Sequence, residues 1–424
     1  GLADALGDAL EGRLRFNWLA GGALRVPELT LAGDGFGATT ALTISTADRP
    51  TVAGRLSAEL ADFARLSRLA GRPLGGAGRV QVEGAAVPLD GTFDARLSVA
   101  GTDLRTGVPE LDGLLAGAAT VALDAARDTT GTTVRALTLR AGTLAVDAEG
   151  TIRTAGTDFT ARARFDDLAV LGSAYGGTMT ADLRIAQSAG ADRLRLTGTA
   201  RDLAIGVQEV DGFLRGTTDL AVEATRRDGT VTIDGFRIDG PAIAARAAGM
   251  VTPGDPLAAD LTATVTLPDL GRLGPPWGGA VTAEARLSAG QGREGVTLTA
   301  TATDLRTGVA AADGLLRGPV RLDLAGAHEG STVTLDRLTL DGRAVTAAVT
   351  GSLSEALTTL AADLTLPDLS AAGPQFGGRL SGRTMLRIED GTEAVTLDAR
   401  TLDVRIGQAE ADRLLAGPAT LAVA

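Results

Sequence analysis

The 424-residue chain contains no cysteine, one histidine and only 3% aromatic residues. Without cysteine, neither a disulfide framework nor a thiolate metal site can form. With a single histidine, His328, a Ser–His or Cys–His catalytic arrangement cannot be present in every repeat. We interpret His328 as a solvated loop residue just before a turn at Gly330. We therefore expect no enzymatic activity, no metal site and no cofactor.

Long apolar runs and basic clusters are also missing from the sequence. No segment approaches 18 consecutive apolar residues, so the sequence predicts no membrane-spanning helix. The net charge is −12, and the charged residues are spread along the chain rather than gathered in a basic stripe. Because nucleic-acid binding depends on clustered basic residues, we expect no nucleic-acid partner.

What the sequence does contain is a recurring segment of the type Asp-Gly-Leu-Leu-x-Gly. Its closing glycines, Gly117, Gly216, Gly318 and Gly417, lie 99, 102 and 99 residues apart, and a weaker copy ends at Gly12. Glycine pairs recur with the same period, at 75–76, 176–177, 278–279 and 377–378. The spacing predicts one continuous array with repeats at 1–105 (partly atypical), 106–204, 205–306 and 307–405, and the start of a fifth repeat at 406–424. We expect the chain to be part of a longer protein, because both of its ends lie close to a copy of the segment.

Alternation of apolar and polar residues predicts β-strands within each repeat. Over 257–267 every second residue is aliphatic, while Asp and Thr occupy most positions between them. This pattern is typical of a strand with one aliphatic face and one polar face. In 231–238 the alternation shifts by one residue, as it does in 134–139 and 333–340, and this indicates a β-bulge.

Short helical turns are the other predicted component, with about six strands and two turns in each repeat. We interpret Asp313, in the recurring segment, as the N-cap of one turn. Asp269 and Asp368, which follow Leu-Pro at the end of a strand, are interpreted as caps of the second turn.

The predicted fold is therefore all-β: an elongated, curled, U-shaped and mostly antiparallel sheet of ~100-residue repeats, with an open hydrophobic groove. Open twisted sheets rarely exceed about ten strands without curling. A sheet sandwich of this size needs large aromatic side chains to fill its interior, and aromatic residues are scarce here. The residues predicted to line the groove are Val52, Leu56, Leu60, Phe159, Phe165, Leu183, Ile185, Leu257, Leu261, Val265, Leu267, Val296, Leu298, Leu360, Leu364, Leu366, Val395 and Leu397.

Two functions are compatible with one aliphatic face. An open groove would hold the acyl chains of a phospholipid and leave its head group in water. The alternative is a structural β-repeat stalk or adhesin with a dry, sealed interior and no ligand. The lining distinguishes them, because a sealed interior pairs large with small residues across its layers whereas a groove leaves its apolar face unmatched.

The segments at 111–117 (LDGLLAG) and 312–318 (ADGLLRG), with the strand pairs that follow at 333–342 and 344–353, resemble the TamB-type (translocation and assembly module) branch of the AsmA-like family of bridge-like lipid transport proteins. The resemblance implies a long, U-shaped β-sheet in the periplasm with a hydrophobic groove. It also implies phospholipid transport linked to outer-membrane biogenesis and outer-membrane protein assembly. An inner-membrane anchor and an Omp85-family (TamA-like) outer-membrane partner would act through regions outside this chain. The family has no catalytic residues to carry over.

Overall fold

A computed structural model describes residues 10–19, 22–45, 49–154, 156–188, 190–354, 356–389 and 392–423. Within them the chain forms 25 β-strands joined by hairpin turns and short helical segments. Strand pairing within each part of the chain is antiparallel, and the sheet is not closed, which confirms the predicted all-β class. The chain divides into two compact units, 1–206 and 207–424.

Unit 1 is an antiparallel meander in which each strand pairs with the strand that follows it in the chain. Its strands are β1 (Leu10–Leu19), β2 (Ala23–Gly33), β3 (Phe36–Ser45), β4 (Thr51–Leu60), β5 (Gly75–Val87), β6 (Thr92–Arg105), β7 (Ala118–Asp128), β8 (Gly131–Ala141), β9 (Leu144–Arg153), β10 (Gly156–Phe165), β11 (Tyr175–Ser188) and β12 (Ala191–Ile205).

Unit 2 has the same arrangement of consecutive antiparallel neighbours. Its strands are β13 (Thr217–Arg227), β14 (Thr230–Asp239), β15 (Ala244–Thr252), β16 (Ala258–Leu267), β17 (Gly278–Gly290), β18 (Arg293–Arg306), β19 (Pro319–Glu329), β20 (Thr332–Gly342), β21 (Thr346–Leu353), β22 (Leu357–Leu366), β23 (Gly377–Glu389), β24 (Thr392–Arg405) and β25 (Pro418–Val423).

The helical segments are all shorter than two turns and fall at two positions of the repeat. The 3-10 turns are η1 (Phe63–Leu66), η2 (Leu168–Leu171), η3 (Leu270–Leu273) and η4 (Leu369–Ala372), and the α-helical segments are Ser67–Ala70, Pro109–Leu114, Gln208–Asp211, Ala310–Leu315 and Ala409–Leu414. From the second repeat on, each complete repeat has an α-helical segment, four strands, a 3-10 turn and two more strands. The predicted six strands and two helical turns are confirmed. Gly12 lies inside β1, and the residues before Leu10 are outside the described part of the chain.

The predicted β-bulges are present in three repeats. The register of β14 against β15 shifts between Ile233 and Phe236. The equivalent strands β8 and β20 shift between Val134 and Leu137 and after Leu335. Because the shift returns the aliphatic residues after the bulge to the face they occupied before it, each strand keeps one aliphatic face along its whole length.

The two edges of each unit differ, because the connections of an antiparallel meander alternate between them. All the helical segments lie at one edge, which we call the helical edge, and tight turns such as Gln291–Gly292 lie at the other, the hairpin edge. A compact core sits at the helical edge of unit 2, where Phe213, Ala242 and Leu270 are buried and Leu267 packs against them.

The recurring aspartates cap helical turns, as predicted, in one of the two motifs but not in the other. Asp269 and Asp368 cap η3 and η4 as predicted, and Asp269 accepts a hydrogen bond from the backbone N–H of Gly271 at 2.8 Å. Asp313, however, is not an N-cap. It lies inside the helix Ala310–Leu315, whose N-cap is Val309, and it accepts hydrogen bonds from the backbone N–H (2.6 Å) and hydroxyl (2.9 Å) of Thr307. The side chain therefore ties the helix to the end of the preceding strand.

A second hydrogen-bonded clamp joins the closing glycine of the recurring segment to the same strand end. The backbone N–H of Gly318 donates to Asp304 Oδ1 at 3.0 Å, and the Asp304 N–H donates to the Gly318 carbonyl at 3.0 Å. Asp103 and Gly117, and Asp403 and Gly417, form the same pair of bonds. The recurrence of the segment thus reflects a structural joint.

Candidate functional site

The candidate site is the aliphatic face of each unit. The register of the paired strands aligns residues that are far apart in the chain into rows across this face. In unit 2 one cross-strand row runs through nine consecutive strands and contains only aliphatic residues and glycine. Its members are Leu261, Leu287, Val296, Gly326, Leu335, Gly351, Leu360, Leu386 and Val395. Since neighbours in such a row are about 4.5–5.5 Å apart, the row is a continuous apolar strip.

Parallel rows widen the strip along the strands. The next row through β16–β25 is Ala263, Ala285, Leu298, Leu324, Leu338, Val349, Ala362, Thr384, Leu397 and Val423, interrupted only by Thr384. Val265 and Leu364 belong to the row after that, and Leu267 and Leu366 to the row nearest the helical edge. All the predicted lining residues of unit 2 that lie in strands therefore share one face; Leu257 precedes the first residue of β16.

Unit 1 has an equivalent face. One row crosses β4–β12 and contains Leu56, Val82, Leu97, Leu123, Leu137, Ala148, Ala161, Leu183 and Leu196. Val52 and Leu60 share the face of Leu56 on β4, and Phe159 and Phe165 share that of Ala161 on β10. Ile185 lies beside Leu183 in the same way. The structure places all seven predicted residues of unit 1 on this face.

Accessibility varies across the face. Leu60 and Leu366 are buried and Leu267 packs against the core at the helical edge, so the protein's own residues cover this margin. In contrast, Leu56, Leu257, Leu364 and Val395 are 39%, 46%, 39% and 48% exposed. The other predicted residues are half-buried. Away from the helical edge, the aliphatic rows are therefore not sealed by described residues.

The opposite face is polar and carries cross-strand ion pairs. Arg286 donates to both carboxylate oxygens of Asp260, and Arg383 does the same to Asp363. The hydrogen bond from Arg286 lowers the pKa of Asp260, and that from Arg383 lowers the pKa of Asp363. These arginines are more than half exposed, so the pairs keep this face hydrated and contribute little to stability.

Two cavities in unit 1 do not mark the aliphatic face. A cavity of about 700 Å³ in unit 1 is lined by Leu56, Val82 and Leu97, but also by polar residues such as Ser57 and Arg96 of the other face. A second cavity of about 480 Å³ is similarly mixed. The candidate surface is therefore an extended strip rather than an enclosed pocket, and the sequence pattern identifies it more directly than cavity shape does.

Beyond the aliphatic strip, the described residues offer neither a metal-binding cluster nor a helix suited to crossing a membrane. Within the described ranges, no group of three His, Asp or Glu side chains is arranged to hold a metal ion. None of the helices that the structure describes is long and apolar enough to cross a membrane. His328 lies near the end of β19 with its Nδ1 3.7 Å from Glu294 Oε2. Comparisons with protein-family models, curated proteins and solved structures find no match.

Proposed function

We propose that the chain is a periplasmic conduit that moves phospholipids between the inner and outer membranes. Acyl chains would lie along the aliphatic face and the head group would stay in water. The observation that carries the proposal is the unbroken row from Leu261 to Val395, which contains only aliphatic residues and glycine and is not sealed by described residues.

The energetics of the strip suit a lipid. Burial of each methylene group contributes about 0.8 kcal/mol, so a sixteen-carbon chain would gain on the order of 10 kcal/mol. Because this row contains only Leu, Val and Gly and no charged residue, the gain is similar at every position. Similar binding energies at neighbouring positions give low barriers between them, which favours sliding over tight binding at one point.

A structural stalk with a dry interior is less well supported. Such a protein would cover its aliphatic rows with a second layer, yet Leu364 and Val395 remain exposed. The buried residues of unit 2 that form a cluster lie at the helical edge instead. The protein's own described residues therefore cover the aliphatic face only at its helical edge.

The membranes and protein partners in the proposal rest on the family resemblance. We propose an inner-membrane anchor and an Omp85-family, TamA-like outer-membrane partner, each acting through a region outside this chain, with a link to outer-membrane biogenesis. The chain would act as a binding surface without catalysis, cofactor or nucleic acid.

Lipid extraction tests the proposal. The chain is produced in a Gram-negative periplasm, purified without detergent and extracted for mass spectrometry. Phospholipid should be recovered in reproducible stoichiometry, and an ion-paired, polar-face variant such as Arg383→Gln should retain the same amount. Absence of phospholipid from every detergent-free preparation would contradict a conduit.

A further inference from the structure

The outermost row of the aliphatic face, at the hairpin edge, differs from the inner rows because it contains cations. In unit 1 this row is Trp18, Leu24, Ile44, Val52, Ala86, Phe93, Arg127, Thr132, Ile152 and Thr157. Arg127 is its only charged member.

The same strand position is basic in the next two repeats. Along β7, β13 and β19, the aliphatic face continues from Leu123, Val222 and Leu324 to a last position occupied by Arg127, Arg226 and His328. These residues pair across the sheet with Thr132, Val231 and Val333. The positions are 99 and 102 residues apart, the spacing of the repeat.

Arg127 and Arg226 are exposed, and no described carboxylate forms an ion pair with either of them. Arg127 makes one long hydrogen bond, 3.5 Å to Thr132 Oγ1. The neighbouring carboxylate of Asp128 is occupied by Thr130 and by the Gly131 N–H. This contrasts with arginines in the middle of the polar face, such as Arg162, which is bonded to Asp182 at 2.8 Å.

The row in unit 2 also holds acidic residues, which limits the number of available cations. Glu294 lies directly opposite His328, and Glu393 occupies the same row on β24. His328 therefore has an anionic neighbour within the protein. Arg226 pairs with Val231 on β14. One unpaired arginine remains on this row in each unit.

We propose that Arg127 and Arg226 bind the anionic head group of an acyl amphiphile whose chains occupy the aliphatic rows beside them. This rests on the proposed function and names the chemistry of the lipid: a phosphodiester or another monoanionic head group. A guanidinium forms paired hydrogen bonds with phosphate oxygens, and its position at the margin keeps the anion in water. Because an arginine occupies the same strand position in two successive repeats, an anionic lipid would find one arginine contact in each unit.

The test compares dihexanoyl phosphatidylglycerol with dihexanoyl phosphatidylcholine, titrated against the 424-residue chain at low salt. The wild-type chain should bind the anionic lipid more tightly. Arg127→Gln and Arg226→Gln should each weaken binding of the anionic lipid in their own unit roughly fivefold and leave binding of the zwitterionic lipid unaffected. The double variant Arg127→Gln/Arg226→Gln should lose both the preference for the anionic lipid and its dependence on added salt. Arg127→Lys should retain most of the preference, and the matched variant Arg162→Gln should bind as the wild type does.

The outcomes separate this inference from the function on which it rests. If wild type binds both lipids equally, or if the double variant keeps the preference, the head-group assignment is wrong while the conduit survives. If neither lipid binds, the conduit itself fails. Inorganic phosphate is titrated in parallel as a competitor. If phosphate displaces the anionic lipid at the same concentration at which unlabelled anionic lipid does, the arginines form a phosphate site unconnected with acyl chains.

Discussion

The backbone carbonyl of Ala371, in η4, lies directly over Gly314 of the recurring segment, where a β-carbon would overlap with it. The carbonyl of Arg272 lies over Gly212 in the same way. In these two repeats the glycine after the recurring aspartate is needed, because the two helical turns of the repeat pack backbone against backbone at the helical edge.

Gly314→Ala should destabilise unit 2 although alanine is the better helix former. Relief of the overlap requires η4 to shift, and overpacking of this kind typically costs about 1–3 kcal/mol. Gly113→Ala is the matched control, since the nearest carbonyl there, that of Val170, is at 3.6 Å, an ordinary contact. It should be neutral or stabilising by up to about 1 kcal/mol. Urea unfolding of both variants measures the difference, and equal effects would contradict the packing argument.

Thr218→Val should stabilise unit 2. Thr218 is fully buried and its hydroxyl has no hydrogen-bond partner, so folding removes the hydroxyl from water without compensation. The equivalent residues one repeat away are Ala119 and Val320, both buried. We expect a gain of about 1–2 kcal/mol in the free energy of unfolding. A loss of stability in Thr218→Val would show that the hydroxyl is satisfied.

Photo-crosslinking distinguishes the two faces of β16 directly. A photoreactive residue at Val265 or, in unit 2 as well, at Val395 should capture acyl chains in cells, because both positions belong to aliphatic rows. The same residue at Thr264, one position away and on the polar face, should capture none. Equal labelling at Val265 and Thr264 would mean that lipid does not follow the aliphatic face.

A charge placed in the strip should interrupt transport. Leu261→Asp puts a carboxylate in the aliphatic row that ends at Val395, where contact with an acyl chain would remove the carboxylate from water at a high cost. Lipid recovered per molecule should fall several-fold, while Thr264→Asp should be tolerated. Circular dichroism of both variants checks that they are folded, and similar losses in both would refute the assignment of faces.

Acidification should weaken the joint between helix and strand. The N–H of Thr307 donates to Asp313 and lowers the pKa of that carboxyl group below 3.8. A carboxyl group with a depressed folded pKa stabilises the fold above its unfolded pKa, and this contribution is lost as the pH falls through the lower folded value. The melting temperature of Asp313→Asn should therefore fall less than that of the wild type when the pH is lowered below 3.8. Parallel curves for the two proteins would contradict this role.

Local chemistry determined much of this protein from the sequence alone. Alternation in 257–267 predicted both a strand and its faces, because successive side chains of a strand point to opposite sides whatever lies beyond it. The one-residue shift in 231–238 predicted the bulge after Ile233 for the same reason. The period of about 100 residues predicted the number of strands in each repeat.

Only the tertiary structure decided features that depend on contacts between distant segments. The sequence placed Asp313 at a helix start, whereas the fold brings it to Thr307, since the strand end and the helix meet only after the chain turns back. Leu60 and Leu366 have the same alternation as Leu364, yet they are buried, because the helical turns cover one end of each strand and leave the other open. The isolation of Arg127 likewise depends on register, which sets its neighbours in the sheet and which no single strand contains.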